Sequence, residues 1–552
     1  MHLKKLFFCF VCISMLSVKV VMAVNVGTDT TINTDTTAQQ TITADNVTLI
    51  NNANINFSGE TAIDMGGRSG TIIINNAGAS IKANDDVIRC TTGNNCTGPV
   101  ILHNFGLISN TTTASNGLVR LDKAAGSIIN NNKGGVIMGV GSEIDGHHAV
   151  DISTSSTLTN RGIIIRTDDG APGLEAATSA IGILGNDAIV ILRDDSILVG
   201  SVNNFVPFTG VELRVDHGYG RAYMYHTVGP FILSDLSGNR IVEGSATAVG
   251  MGAQETVDEI LGQRAYNLRN TLKRYANVSD PKPTMEPFVY VSHRDGGRTT
   301  VGYDNSAYGT NFIYPVVPDK VNLILTVEGN KLSLDEDHDV TKDSVLIGVN
   351  ANDFMEIGEW KASAFVAGGV TWHDSSRDVL TNTVVTGITE TVANYQSTEA
   401  ITGLSFSHTY DQKVNESVTN KWETDLGLTF SFSHTPNYNE NLFFTWEERD
   451  LAQLSIHIGE QLTSMLGDKL QFRCGGEFEH RAVIAGKNQD HAINSVVIDF
   501  NSGDFYENSI SMNTGFDYAL GEYSRVYLRF DGRASDQSAF TIGASAGLEL
   551  VF

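Results

Sequence analysis

Apolar and polar residues alternate along two long stretches of the chain, with a different repertoire in each. Downstream, Trp422, Leu426, Leu428, Phe430 and Phe432 alternate with Glu423, Asp425, Gly427, Thr429, Ser431 and Ser433. Ile510, Met512, Phe516 and Tyr518 alternate with Ser511, Asn513, Gly515 and Asp517. Leu470, Phe472, Cys474 and Phe478 alternate with Gln471, Arg473, Glu477 and Glu479, and Val526, Leu528 and Phe530 with Arg525, Tyr527, Arg529 and Asp531. A period of two is the strand period, because successive side chains point to opposite faces. The runs are about ten residues long, the length a tilted strand needs to cross hydrocarbon. Some are joined by tight turns such as Leu520-Gly521-Glu522, and no helical pattern is present to cover either face. The apolar side is therefore predicted to meet lipid, and the polar side, with Glu423, Asp425, Arg525, Arg529 and Asp531, to line an enclosed lumen. About twelve antiparallel strands of this kind fit between Pro287 and Phe552.

Upstream the pattern is shorter and almost free of aromatics. From Val24 to Asn204 only Phe57 and Phe105 are aromatic, whereas Trp360, Trp372, Trp422 and Trp446 all lie beyond. Asn-x-Gly recurs at Asn76, Asn104, Asn132 and Asn160, 28 residues apart each time. Each copy follows a β-branched or aliphatic run, such as Thr71-Ile72-Ile73-Ile74 or Val100-Ile101-Leu102. A second set of short strands falls between the turns, at Ile63, Ile88, Val119, Val150 and Ile181. Asn tolerates a left-handed backbone and Gly adopts it freely, so Asn-x-Gly suits a corner between rungs. A rung cannot bury its inner face alone, but stacked rungs bury a continuous core. A right-handed parallel β-solenoid of some five to seven rungs is predicted over 24–204.

Between the two stretches, residues 205–250 gain Phe205, Phe208, Tyr219, Tyr223, Tyr225 and Phe231, and are assigned as a capping segment for the solenoid's open end. Val257, Ile260, Leu261, Leu268, Leu272 and Tyr275 then shift to helical spacing, predicting a helix over 254–277 within a linker 251–286. Its second half is basic, with Arg264, Arg269, Lys273 and Arg274, and Pro281 and Pro283 stop it.

The first residues add an address. Lys4 and Lys5 precede an apolar run from Leu6 to Val18, and Ala23 offers the small residue a signal peptidase needs, so 1–23 reads as an export signal. No later run approaches the roughly 18 apolar residues of a membrane helix, so any insertion must use strands. Export leaves Cys90, Cys96 and Cys474; the first two are a disulfide candidate in an oxidising compartment, and Cys474 is left over. The net charge of −26 excludes nucleic acid as a partner, since nothing would neutralise phosphates.

The chain ends on Ala544, Ala546, Leu548, Leu550 and Phe552 sharing one face. In this it resembles outer-membrane barrels of Gram-negative bacteria, whose assembly machinery recognises a terminal aromatic after alternating apolar residues; Leu550 stands where a tyrosine is common. The whole order of signal, solenoid, cap, helix, barrel at 287–552 and terminal Phe resembles the type V autotransporter family. The resemblance implies an all-β chain whose C-terminal transmembrane barrel, a monomer with a lumenal α-helix, supports display of the solenoid as a passenger at the cell surface. It also implies passage through the Sec translocon, insertion by the β-barrel assembly machinery, contact with outer-membrane lipid and no cofactor. Some members cut the helix at an Asn-Asn bond; here Asn267 and Asn270 are apart, so the passenger is expected to stay attached.

No chemistry stands out. No Gly-Asp-Ser-Gly or Gly-Asp-Ser-Leu nucleophile motif is found, and no Gly-x-Ser-x-Gly site follows a strand and precedes a helix. His147-His148 beside Asp145 lacks a third metal ligand and reads as a polar loop. Asp168-Asp169 and Asp194-Asp195 read as solvated turns, and Glu399, Glu423 and Asp425 as lumenal polarity. The expectation is a non-enzymatic adhesin or interaction protein with an unidentified host or cell-surface ligand. A displayed hydrolase is the alternative, and a non-specific outer-membrane channel the second.

Overall fold

A computed structural model describes residues 23–90, 96, 98–110, 117–140, 148–167, 179–242, 246–248, 252–276, 283–297, 300–335, 337–381, 390–415, 418–440, 444–467, 469–493, 496–498, 506–521 and 524–550. The signal segment before Ala23, the Asp145, His147, Asp168 and Asp169 positions and Phe552 lie outside these. The chain divides into two compact units. One holds the residues up to Leu213 together with Thr227–Ile232, and the other holds 214–226 and almost everything from Leu233 on. Of the segment 205–250, residues 205–213 and Thr227–Ile232 fall in the first unit, and 214–226 and the residues from Leu233 on in the second.

The first unit is a parallel solenoid of three sheets. The short strands at Ile63–Asp64, Ile88–Arg89, Val119–Arg120, Val150–Ile152 and Ser179–Ile183 stack into one sheet, and Thr48–Asn51, Thr71–Asn75, Val100–Asn104, Ile128–Asn131, Thr157–Asn160 and Ile189–Arg193 into another. The sequence pattern distinguished these two sets. A third sheet follows the corners, all but the last of which contain asparagine: Asn54–Asn56, Ser80–Ala83, Leu107–Asn110, Val136–Val140, Ile163–Thr167 and Ile197–Val199. Inward side chains such as Leu49, Ile73, Leu102, Ile129, Leu158 and Val190 are fully buried.

The corner itself corrects the 28-residue spacing. The stacked asparagines are Asn51, Asn75, Asn104, Asn131 and Asn160, each amide donating to the next carbonyl oxygen at 2.8–2.9 Å. Their separations are 24, 29, 27 and 29 residues. Asn104 and Asn160 therefore belong to the ladder, whereas Asn76 and Asn132 are the residues one step past it. The glycines divide accordingly. Gly78 and Gly134 take φ of 81° and 85°, while Gly106 and Gly162 sit where a Cβ would meet the Ala79 and Gly135 carbonyl oxygens at 2.3 and 2.2 Å. Buried amides that satisfy one another along the stack remove the penalty of unpaired polar groups in the core.

The second unit is an antiparallel barrel closed by pairing of its first and last strands. The twelve strands are Thr284–Arg294, Tyr303–Val317, Val321–Leu334, His338–Ile357, Trp360–Thr381, Glu390–Asn415, Val418–Thr435, Arg449–Leu466, Leu470–Ala485, Tyr506–Gly521, Ser524–Ser535 and Ala539–Leu550. The first starts at Thr284, three residues before the predicted boundary at Pro287, and these residues belong to the barrel rather than the linker. Connections at one end are tight, as at 318–320 and 358–359; at the other they are longer, as at 436–448 and 486–505. The long loops carry a small sheet of Tyr438–Glu440, Phe444–Trp446, His491–Ile493 and Val496–Ile498. Outward positions are apolar and exposed, such as Ile510, Met512, Ile456 and Ile458; inward neighbours such as Ser509, Ser511 and Asp517 are buried. One helix, Gly252–Ala276, lies in the lumen. Among the described residues no helix is long and apolar enough to cross a membrane, which leaves a strand-built crossing open.

Candidate functional site

The helix is held in the lumen by two faces with different chemistry. Leu261, Ala265, Leu268, Leu272 and Tyr275 repeat at steps of three and four, one stripe of an α-helix. They pack against inward-facing Ile313, Ile324, Leu346, Phe365, Ala367 and Ile401 of the barrel. That half of the wall is apolar inside as well as outside, so the alternation alone does not reveal it.

The remaining faces are charged, and every described charge on the helix has a partner on the wall. Arg264 donates to Glu328 at 3.0 Å and to Ser344 at 2.7 Å, and pairs with Glu399. Arg269 pairs with Glu477 and donates to Glu479 at 2.9 Å. Lys273 lies 2.5 Å from Asp425 and 3.8 Å from Glu423. Arg274 pairs with Glu286, whose other oxygen accepts from the Tyr527 hydroxyl at 2.7 Å. At the start of the helix the signs reverse: Asp258 meets Arg449 at 2.9 Å and Glu259 meets Arg294 at 3.6 Å. A charge in this enclosed space is tolerable only when paired, and removing one partner leaves the other stranded.

The partners fix the direction of the helix. Arg294 ends the first barrel strand and Arg449 begins the eighth, both at the long-loop end. Glu286, Glu423 and Asp425 lie near strand starts at the tight-turn end. The helix therefore enters from the long-loop rim and runs towards the tight turns. Acid at its N-terminus and base at its C-terminus also complement its dipole.

Of the lumenal charges named from the sequence, Glu423 and Asp425 meet Lys273, and Arg529 is buried against Asp517 at 2.9 Å rather than against the helix. Arg473 shares that Asp517 at 3.2 Å. Asp531 lines a crevice with Arg274 and Arg529, and Arg525 is half-buried. Cys90 and Cys96 form a disulfide and Cys474 is free. Ala23 opens the first solenoid strand. Leu548 and Leu550 lie in the strand that closes the barrel. His148 Nδ1 lies 2.6 Å from the Asp151 carboxylate, which accepts from it, and Asp194 and Asp195 are exposed. Sequence reasoning missed Asp258, Glu259, Glu286, Arg294, Arg449 and Asp517 as partners; strand parity locates an inward charge, but not which helix residue it will meet.

Asp425, His457 and Glu477 bring ligand-type atoms within 4.8 Å of one another. Lys273 and Arg269 already neutralise the two carboxylates, so the trio reads as part of the ion-pair network. Beside it, at the tight-turn end, lies a cavity of ≈ 250 Å³ lined by Lys273, Ser405, Glu423, Asp425 and His457.

No protein-family model and no curated protein matches the sequence. Among solved structures, the chain is similar to the translocator domain of autotransporter NalP from Neisseria meningitidis, at 12% identity over 54% of this chain and 98% of that one, TM-score 0.41. It is similar to the transport unit of autotransporter AIDA-I from Escherichia coli, at 12% identity over 53% and 98%, TM-score 0.37. A third is the beta domain of a Bordetella autotransporter, at 10% identity over 49% and 100%, TM-score 0.33.

Proposed function

We propose that this chain is an outer-membrane autotransporter: the barrel inserts in the outer membrane and displays the solenoid at the cell surface. The observation that carries this is the path of the chain through the lumen. The helix starts at the long-loop rim, so the chain that precedes it enters the lumen through that rim. In bacterial barrels short turns face the periplasm and longer loops face outward. The same path makes export and plugging one event, because the segment that threads the barrel last remains in it as the helix. Stacking of rungs outside would then oppose return, since each rung buries its inner face only against its neighbours.

The passenger's task is read as adhesion or contact with a host or neighbouring cell. Its second sheet presents an outward column of Thr48, Ile72, Ile101, Ile128, Thr157 and Ile189, in register from rung to rung and without charge, on a chain whose net charge is −26. Flat, uncharged β-faces suit contact with another surface. The test is protease shaving of intact cells with antibodies to residues 24–204. Surface display predicts binding before protease and loss after it; a passenger protected until the outer membrane is broken would overturn the reading. A channel is the competing role, and the paired helix speaks against it: the full-length protein should conduct little in a planar bilayer, and far more once 252–276 is deleted.

A further inference from the structure

Residues between the solenoid and the helix do more than connect them. Ala222, Tyr223 and Met224 pair in parallel with Val379, Leu380 and Thr381, at the long-loop end of the fifth barrel strand. The described pairing of that strand to its barrel neighbours runs to Arg377 on one side and to Asp378 on the other, and the incoming strand pairs beyond it. On its other side the incoming strand pairs antiparallel with Ala246–Ala248. Side chains reinforce the ladder. Arg221 is buried and pairs with Asp337 of a rim turn. Ala222 and Val242 join Val379, Ala393, Phe444 and the fully buried Trp446 in one apolar cluster beneath the small loop sheet. Tyr219 packs on a second cluster holding Ile260 of the helix and Val301, Leu332 and Leu334 of the rim. Inside the segment, Tyr223 donates to Asp235 at 2.7 Å and the Tyr225 hydroxyl lies 2.6 Å from His217, so it is braced as well as docked.

We infer that residues 214–226 and 233–242, with Ala246–Ala248, form a noncovalent clasp that keeps the passenger on the barrel even when the chain between clasp and helix is cut. Backbone pairing to a strand end, an apolar anchor in a closed cluster and an ion pair made by a buried arginine are the ingredients of a stable peptide-binding interface. The barrel rim is accordingly a receptor site for a segment of this same chain. The inference rests on the display reading above and adds a second means of retention to the lumenal helix.

The test keeps the whole protein. A protease recognition sequence is inserted between Ala248 and Gly252, the protein is displayed on cells, and the backbone is cut from outside. The cut leaves the clasp on the passenger fragment and its receptor on the barrel. The expected result is that the cut passenger remains with the cells. Arg221→Glu combined with Ala222→Asp should raise the released fraction about tenfold, and Arg221→Glu with Asp337→Arg should release less than Arg221→Glu alone. Passenger that leaves wholly on cutting the unmodified protein, or clasp variants retained as well as the parent, would overturn the inference. Antibody binding to the uncut proteins reads display separately. Were the passenger not outside, the display reading would fail, and co-purification of the cut halves in detergent would still decide the clasp.

Discussion

The solenoid and the barrel use the same two-residue period turned inside out. In the solenoid Leu102, Ile129 and Leu158 point inward and polar or β-branched residues point out; in the barrel Ile456, Ile458 and Ile510 point out while Ser509, Ser511 and Asp517 point in. Period alone therefore states that a face exists, not which solvent it meets. What separates the two is what fills the inside. The solenoid interior is closed by aliphatic side chains and by a stack of asparagines that satisfy one another. The barrel interior is closed by a separate piece of chain that must carry matching charge.

The largest effects should come from placing one charge on each of the four faces. Ile458→Lys, into lipid, should cost about 2–4 kcal/mol, whereas Ser405→Lys, into the cavity beside Glu423 and Asp425, should be nearly neutral. In the solenoid Ile137→Lys should prevent that region from folding, whereas neighbouring Met138→Lys, on the outer face, should be tolerated. Heat-modifiable electrophoretic mobility reads the barrel and protease resistance reads the solenoid. Equal sensitivity of inward and outward positions in either unit would break the comparison.

Next comes the plug. Arg264→Ala strands Glu328 and Glu399 and should destabilise the helix–barrel contact by about 3–5 kcal/mol, seen as frequent channel opening. Adding Glu328→Gln and Glu399→Gln should recover much of the loss, because the stranded charges disappear. The asparagine stack is the solenoid's counterpart. Asn131→Ala removes a donor to Asn160 at 2.8 Å and to the Ile163 carbonyl at 3.1 Å, and an acceptor for Asn104 at 2.8 Å. It should cost about 2–3 kcal/mol, measured by hydrogen exchange of solenoid amides in the full-length protein.

The smallest effect is one of pH. Asp86 is buried in the solenoid; burial, and then the nearby Asp85 charge, push its carboxyl up to about 7 against the pull of Arg120. The folded state thus binds a proton that the unfolded chain has already released between pH 4 and pH 7, so stability should fall as pH rises through that window. Asp86→Asn should flatten this slope and raise solenoid stability at pH 8; an unchanged slope would show that other groups set it.

Much of this architecture is legible in the residues, and the gaps have physical causes. The barrel could be read because lipid demands an unbroken apolar face from each strand, as in Leu426, Leu428 and Phe430. The third solenoid sheet could not, because Ser80–Ala83 and Leu107–Asn110 follow their corners so closely that they merge with the turn signal. Rungs that alternate between 29 and 27 residues let Asn-x-Gly recur at a constant 28 while its members occupy two structural positions. Ile313, Ile324 and Phe365 face the helix because its leucine stripe needs cover, a demand made by a segment far away in sequence. The loop strands around Trp446 are too short to show a period. The ion pairs of the helix needed a register that neither element contains alone.

The most direct test places single cysteines along residues 426–431 in a Cys474→Ser background and measures quenching of an attached fluorophore by a lipid-phase quencher. Strong quenching at 426, 428 and 430 with weak quenching at 427, 429 and 431 is the expected result. Uniform quenching, or none, would contradict a wall that meets hydrocarbon on one side and a plugged, polar lumen on the other.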